Sequence, residues 1–165
     1  PRRDIEIVPV QTAEEMRKAV FTHLEGCSAV IKAAAVSDFR PKVRSEQKLK
    51  KAKTSRSLEL EKTKDILSEI GKKKGNRVLV GFAAETEDLV LNARKKLAEK
   101  NLDFIVVNDV TKADAGFGVD TNQVKILYPS GETKDLPLMS KEEVSELILD
   151  DVVKLVRQRR RSKGK

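Results

Sequence analysis

The stretch VLVGFAA, residues 78–84, decides the fold class of this 165-residue chain. Its nearly continuous apolar character is typical of a strand that is covered on both faces, as in a parallel sheet. Two other runs share that character, AVIKAAAV at residues 29–36 and DFIVV at residues 103–107. Helical patterns at residues 65–73 and 86–100 separate the three strands. This alternation predicts an α/β protein with a Rossmann-like, mostly parallel sheet flanked by helices.

Turn and capping signals predict the elements around this centre. TAEE at residues 12–15 and SKEE at residues 140–143 each match a capping box, so a helix is expected to start at each, the first reaching about residue 24. The other predicted elements are two short strands and a hairpin, at residues 5–10, 58–61 and 123–136. The last helix is expected to dissolve into a basic tail. We therefore predict one domain over residues 1–156 and a disordered tail over residues 157–165.

Composition excludes several classes of function. The single cysteine, Cys27, excludes an internal disulfide and a Cys-rich zinc site, and the single histidine, His23, argues against a Ser–His–Asp triad. No apolar run approaches the roughly 18 residues of a membrane span, and no secretory signal is visible. These features predict a cytoplasmic protein without a membrane partner.

The net charge of +8 is concentrated in two basic blocks, at residues 42–56 and 154–165. Such blocks suit phosphate-bearing partners such as nucleotides or phosphorylated metabolites, or they are solvated surface. Nucleic acid is not expected as a partner, because the blocks lack interleaved aromatic residues and a recognised nucleic-acid-binding motif.

Polar residues follow each of the three buried strands: Ser37 and Asp38 after the first, Glu85 and Thr86 after the second, and Asn108 and Asp109 after the third. In open α/β sheets, ligands bind beyond the carboxyl ends of the parallel strands. The sequence therefore predicts a ligand site at this edge of the sheet.

Individual residues near this edge have two interpretations. Asp38 suits a ribose hydroxyl or a metal ion, or it is a turn residue. Phe82 suits stacking on a base, or it is core. Lys96 and Lys100 suit a phosphate, or they form a solvated helix face. Gly116 and Gly118 are not a dinucleotide fingerprint, since no third glycine and no helix follow.

Several longer stretches occur in a fixed order: AAAVSDFRPK (33–42), KLKK (48–51), EKTKDIL (61–67), GFAAET (81–86), NLDFIVVNDV (101–110) and AGFGVDTNQV (115–124). With TAEEM at residues 12–16, they resemble the phosphopantothenate–cysteine ligase family over residues 5 to about 156. In bacteria this domain is typically fused behind a flavin-dependent decarboxylase, so that half is expected in the full-length protein and no flavin in this chain. The family's Gly-rich opening and its Asn-Arg-Ser-Ser-Gly stretch are absent before Pro1. A truncated domain, inactive or unstable alone, is therefore expected.

The resemblance implies that CTP activates 4'-phosphopantothenate as an acyl-cytidylate, which L-cysteine then attacks, with Mg²⁺ required. It implies a homodimer whose contact and sheet extension lie in residues 101–127, with a β-hairpin. Lys48 would be catalytic, on a loop that closes over the intermediate, while the metal ligands stay unassigned. The residues expected to bind the nucleotide are Lys32, Ala33, Ala34, Asp38, Lys48, Lys64, Asp65, Ile66, Leu67, Phe82, Lys96 and Lys100.

Three points stay open at the level of sequence. Lys64 replaces the proline that is common in relatives, which puts a side-chain role there in doubt. The choice between CTP and ATP is not decided. The alternative function is a non-catalytic nucleotide-binding or subunit-interface module.

Overall fold

The computed structural model describes residues 4–43, 57–85, 88–109 and 118–163. The chain divides into two compact units, where the sequence predicted one domain over residues 1–156. The first unit comprises Pro1–Glu25 and Ala35–Ile66, and the second comprises Gly26–Ala34 and Leu67–Lys165.

The elements of the described residues follow in chain order. They are α1 (Ala13–His23), β1 (Ala29–Lys32), β2 (Phe39–Pro41), β3 (Leu60–Lys62), α2 (Ile66–Lys72), β4 (Val78–Glu85), α3 (Leu89–Glu99), β5 (Phe104–Asp109), β6 (Thr121–Asn122), β7 (Val124–Leu127), β8 (Thr133–Asp135), β9 (Met139–Ser140) and α4 (Lys141–Lys163).

The second unit contains a five-stranded sheet in the order β1-β4-β5-β7-β8. β1, β4 and β5 pair in parallel, and β7 and β8 extend the sheet as an antiparallel hairpin. The predicted Rossmann-like centre is confirmed, and β7 and β8 form the hairpin predicted at residues 123–136. The use of this hairpin for dimerisation stays a prediction. β4 is the central strand of the parallel part, and Val78, Leu79 and Val80 are completely buried in it.

Different side chains pack on the two faces of this sheet. Even-numbered residues of β4 and β5, including Val80 and Val106, pack in one cluster with Val144, Ile148 and Val152 of α4. Side chains alternate between faces along a strand, so odd-numbered residues face the other way. There the backbone of Gly81 lies so close to Leu67 and Leu102 that an added Cβ would be 3.0 and 2.8 Å from their methyl carbons.

Two predicted strands differ from the structure. The run at residues 29–36 forms a strand only over Ala29–Lys32, and Ile31 is 39% exposed. Among the described residues, β1 has a sheet neighbour on one side only, so it is an edge strand there. None of its four residues is fully buried, so it is not a strand buried on both faces. Residues 5–10 form no strand, because no described residue pairs with their backbone. The side chains of Ile5 and Ile7 are exposed.

The first unit consists of α1 and a two-stranded antiparallel ribbon, β2 with β3. The predicted capping box of α1 is confirmed: the Thr12 hydroxyl accepts from the Glu15 amide, and the Glu15 carboxylate accepts from the Thr12 amide. The second predicted capping box, Ser140 with Glu143, is formed in the same way at the start of α4.

The expectation of a disordered tail is wrong for residues 157–163, because α4 continues to Lys163. Its last turns are held by Arg159, which donates to the carboxylate of Asp103 and to the main-chain carbonyl of Arg77. Within the described ranges, no helix has the length and apolar character needed to cross a bilayer.

Candidate functional site

The carboxyl edge of the parallel strands in the second unit carries three of the predicted residues. Lys32 ends β1, and Ala33 and Ala34 follow it with exposed side chains. The Lys32 ammonium donates a hydrogen bond to the main-chain carbonyl of Ala34 at 2.9 Å. This contact holds a positive charge at the end of the edge strand, where an anion from solvent can reach it.

Phe82 lies in the adjacent strand and is not core. It is 36% exposed, whereas Val80 is fully buried and Ala83 is 7% exposed. The register pairs Ile31 with Val80, so Ile31 and Phe82 share a face of the sheet, and Ile31 is also exposed. The two side chains form an open apolar surface that a planar base can cover.

Asn108 belongs to the same edge. It is one of the polar residues that follow the buried strands, although it was not among the residues expected to bind the nucleotide. The register pairs it with Ala84, which places it on the Phe82 face of the sheet. Its Oδ1 atom is buried and has no hydrogen-bond partner among the described residues. A buried acceptor without a donor costs about 1–3 kcal/mol, so a ligand N–H here would be stabilising. The available signal was an amide residue directly after an apolar strand.

Ile66 and Leu67 of α2 are buried, with 2% and 5% exposure. Leu67 packs beside Gly81 in the second unit. Any contact of either residue with a nucleotide therefore has to come from main-chain groups, not from the side chain. Asp65, directly before α2, has an exposed side chain.

Lys96 and Lys100 are not brought to Phe82. α3 connects two parallel strands, so it returns from the carboxyl ends of β4 and β5 to their amino ends. Its end is fixed there, since Asp103 donates its main-chain N–H to Leu79 near the start of β4. α3 also packs on the face opposite to Phe82. The second unit therefore does not bring Phe82, Lys96 and Lys100 together in one pocket, although the sequence predicted that it would.

In the first unit, Asp38 lies in a turn that is held by Thr63. The Thr63 hydroxyl donates to the Ser37 carbonyl at 2.5 Å, and the Thr63 amide donates to the Asp38 carbonyl at 2.9 Å. The Asp38 side chain is exposed. The main chain of this residue is therefore fixed while its carboxylate is available to a ligand.

The ribbon of β2 and β3 is braced by two ion pairs, Arg40 with Glu61 at 2.7 Å and Lys42 with Glu59 at 3.2 Å. The chain between these two strands contains Lys48, the residue predicted to be catalytic, which lies outside the described residues. The ribbon thus fixes both ends of the segment that carries Lys48.

Lys64 lines a cavity of about 330 Å³ in the first unit, together with Arg40, Glu61 and Thr63. Its side chain is exposed. A larger cavity of about 930 Å³ in this unit is lined by the start of α1 and by both strands of the ribbon, and its walls combine apolar side chains with Arg40 and Lys42.

The donor set of the described residues does not form a magnesium cage. Among them, no group of three or more His, Cys, Asp or Glu side chains is placed to hold a metal ion. Mg²⁺ often binds through one or two carboxylates together with the phosphates of a nucleotide. Asp38, as a single exposed carboxylate, fits that second mode of binding.

Known proteins are similar to this chain in sequence and in fold. The family model described as the C-terminal domain of the DNA/pantothenate metabolism flavoprotein matches residues 1–156. The coenzyme A biosynthesis bifunctional protein CoaBC of Bacillus subtilis (strain 168) is 50% identical over 158 residues, which cover 96% of this chain and 39% of that protein. A cysteine/cysteine sulfinic acid decarboxylase of an unknown prokaryotic organism is 41% identical over 93% of this chain and 43% of its own length.

The crystal structure of the C-terminal domain of a CoaBC protein superposes with a TM-score of 0.77 and 36% identity, covering 96% of this chain and 69% of that one. The chain spans about two fifths of the length of the two curated relatives named above. The match to the family model extends over nearly the whole sequence. The chain therefore belongs to the family of DNA/pantothenate metabolism flavoprotein C-terminal domains.

Proposed function

We propose that this chain is a nucleotide-dependent phosphopantothenate–cysteine ligase domain, which joins the carboxylate of 4'-phosphopantothenate to the amine of L-cysteine in coenzyme A biosynthesis. Membership of the family and the similarity to the bifunctional coenzyme A biosynthesis protein support the pathway. The observation that carries the assignment of a nucleotide site is the carboxyl edge of the sheet. There, exposed Phe82 shares a face with the buried Asn108 acceptor, which has no hydrogen-bond partner in the described part of the chain.

The proposed reaction has two steps because a carboxylate is a poor acyl donor. In the first step, a carboxylate oxygen attacks the α-phosphorus of CTP, an O–P bond forms, and pyrophosphate leaves. In the second step, the cysteine amine attacks the acyl carbon, CMP leaves with the shared oxygen, and the amine loses a proton. Negative charge develops on the transferred phosphoryl group and on pyrophosphate, and fixed cations stabilise it.

The nucleotide base is proposed to stack on Phe82, with Ile31 beside it. Stacking of a base on an aromatic side chain is worth about 1–3 kcal/mol. An exocyclic amine of the base is the donor that Asn108 lacks, and both cytosine and adenine have one. The edge of the sheet therefore favours CTP or ATP over a base without such an amine at that position.

The positive charges are proposed to act on the phosphates. Lys32 is held at the end of β1 by its contact with Ala34, where it can bind a phosphate oxygen. Lys48 is proposed to act on the acyl-cytidylate, and Asp38 to bind the ribose or the Mg²⁺ that the nucleotide brings with it. Lys96 and Lys100 have no role in this proposal, because α3 carries them to the other face of the sheet.

Two partners complete the proposal. A decarboxylase half is expected in the full-length protein, since the similar bifunctional protein is more than twice as long as this match. A homodimer is proposed to form through residues 101–127 and the hairpin of β7 and β8, whose β8 strand is an edge of the sheet.

The decisive experiment incubates a protein that contains this chain with 4'-phosphopantothenate, L-cysteine, Mg²⁺ and CTP or ATP. We expect pyrophosphate and phosphopantothenoyl-cysteine, and accumulation of the acyl-nucleotide when cysteine is left out. CTP binding by calorimetry without any pyrophosphate release would instead support the non-catalytic nucleotide-binding module. The matched pair Phe82→Ala and Leu91→Ala separates stacking from a general loss of apolar surface, since Leu91 is 70% exposed on α3.

A further inference from the structure

The amino ends of the parallel strands carry a second cavity, at the opposite edge of the sheet from Phe82. Its volume is about 390 Å³, and it is lined by Cys27, Ser28, Asn76, Arg77, Val156, Arg159 and Arg160. Ser28 and Arg77 directly precede β1 and β4, and the other two arginines lie near the end of α4. The proposed ligase reaction uses none of these residues.

Three guanidinium groups of this cavity are held in place by the surrounding backbone and side chains. Arg77 donates to the carbonyls of Lys73 and Lys74 at 3.2 and 3.3 Å. Arg159 donates to the Arg77 carbonyl and to Asp103, and Arg160 donates to the hydroxyl of Ser28 at 3.2 Å. Because these groups are already ordered, binding of a ligand costs little additional side-chain entropy.

The electrostatic balance of the cavity is strongly positive. Among the described residues that line it there are three arginines and no carboxylate. The nearest acid, Asp103, pairs with Arg159 but also with the buried Lys74 at 3.0 Å. Asp103 therefore divides its charge between Arg159 and Lys74, and the three arginines that line the cavity attract an anion that enters it.

We propose that this cavity is a binding site for a small phosphate-bearing anion, either a phosphate monoester or pyrophosphate. Guanidinium groups match the geometry of phosphate oxygens, and Ser28 and Asn76 add neutral hydrogen-bonding groups. A volume of about 390 Å³ accommodates one or two phosphate groups. Nucleic acid is a poorer fit, because backbone recognition uses an extended basic surface and not a small recess lined by three arginines.

The test is a titration of the full chain with inorganic pyrophosphate, at constant ionic strength, followed by backbone amide chemical shifts. We expect shifts at residues 27–28 and 76–77. Arg160→Gln should weaken binding at least about tenfold, which corresponds to the loss of one charge-assisted hydrogen bond. Arg157→Gln is the matched control, since it removes the same charge from the same helix outside the cavity, and it should change the affinity less than about twofold.

Three outcomes overturn the proposal. Equal weakening by Arg160→Gln and Arg157→Gln would mean diffuse attraction by the basic helix end. Shifts confined to residues 32–34 and 82 would place pyrophosphate only at the carboxyl edge, which would leave the proposed ligase site intact. A short DNA duplex could bind more tightly than pyrophosphate and be weakened equally by Arg160→Gln and Arg157→Gln. That result would assign the surface to nucleic acid. Ser28→Ala keeps all the charges and should weaken pyrophosphate binding to a smaller extent, which checks the result if Arg160→Gln alters the fold.

Discussion

Asp103→Asn tests how much the buried contacts of Asp103, at the amino ends of the parallel strands, stabilise the second unit. The Asp103 carboxylate accepts from the Leu79 amide at 2.7 Å, pairs with Lys74 at 3.0 Å and contacts Arg159. Its side chain is only 10% exposed, as is that of Lys74. Asparagine keeps the size of the side chain but removes its charge.

The expected cost follows from the burial of this pair. Removing one partner of a buried ion pair typically costs about 3–5 kcal/mol, because the other charge is left without compensation. Arg159 is 25% exposed and can turn towards water, while Lys74 keeps the Asn101 carbonyl at 2.8 Å. We therefore expect the lower end of that range, about 3 kcal/mol of unfolding free energy. For a chain of this size, that lowers Tm by roughly 6–12 °C.

Thermal and urea denaturation measure this loss. Asp150→Asn is the matched control, because Asp150 is an exposed carboxylate on α4 and should change stability by less than about 0.5 kcal/mol. Hydrogen exchange adds a local readout, since the amides of residues 157–163 should exchange faster once Arg159 loses its partner. A loss below about 1 kcal/mol for Asp103→Asn, or equal losses for both variants, would refute the reasoning.

A double variant tests the cause of the loss. If the penalty comes from the uncompensated charge of Lys74, then Lys74→Met combined with Asp103→Asn should be less destabilising than the sum of the two single changes. We expect a coupling energy of at least about 1 kcal/mol, as found for directly interacting residues. Strict additivity would mean that the two side chains stabilise the unit independently.

Four further predictions concern single residues. Burial and the hydrogen bond to Asp151 raise the pKa of Tyr128 from its ordinary value of 10.0 to about 12. Absorbance titration of this single tyrosine should therefore have its midpoint near 12, and the free energy of unfolding should fall as the pH rises from about 10 to about 12. Phe82→Ala should weaken CTP binding by about 5- to 150-fold with little change in Tm, measured by calorimetry. Lys48→Gln should slow the cysteine step, so mass spectrometry should detect accumulated acyl-cytidylate, and normal product formation would remove Lys48 from the mechanism. Gly71→Ala would place a Cβ 2.1 Å from the Lys100 carbonyl oxygen, so it should destabilise the protein by about 1–3 kcal/mol or more, whereas an unchanged urea midpoint would contradict that contact.

Elements defined by local signals could be predicted from the sequence. The capping boxes at Thr12 and Ser140 need only residues three positions apart, and both helices start there. The apolar runs of β4 and β5 were likewise sufficient to predict buried parallel strands. Periodicity does not say how many neighbours a strand has, and for that reason the run at residues 29–36 gave no sign that β1 is an edge.

Features set by distant partners could not be predicted. The basic end of α4 resembles a solvated tail because its composition is polar and charged. It is nevertheless helical to Lys163, and Arg159 in it contacts Asp103, 56 positions away in sequence. The same holds for Lys96 and Lys100, whose spacing shows a shared helix face but not which face of the sheet the helix covers.

Phe82 shows why the site itself was only partly predictable. An aromatic residue inside an apolar strand is normally core, since burying its ring stabilises the fold by about 1.5–3 kcal/mol. Here α4 covers Val78 and Val80 on the same face of β4 but leaves Phe82 more than one third exposed. Leaving that apolar surface in water forgoes part of the stabilisation, and a ligand that covers the ring recovers it. The exposed ring is informative because the preceding residues of β4, from 78 to 81, are all buried. On the same face lies the buried oxygen of Asn108, which has no donor among the described residues. The exposed ring of Phe82 and the buried acceptor of Asn108 lie on one face at one edge of the sheet. A single planar ligand with an amine would therefore cover the ring and donate to the acceptor.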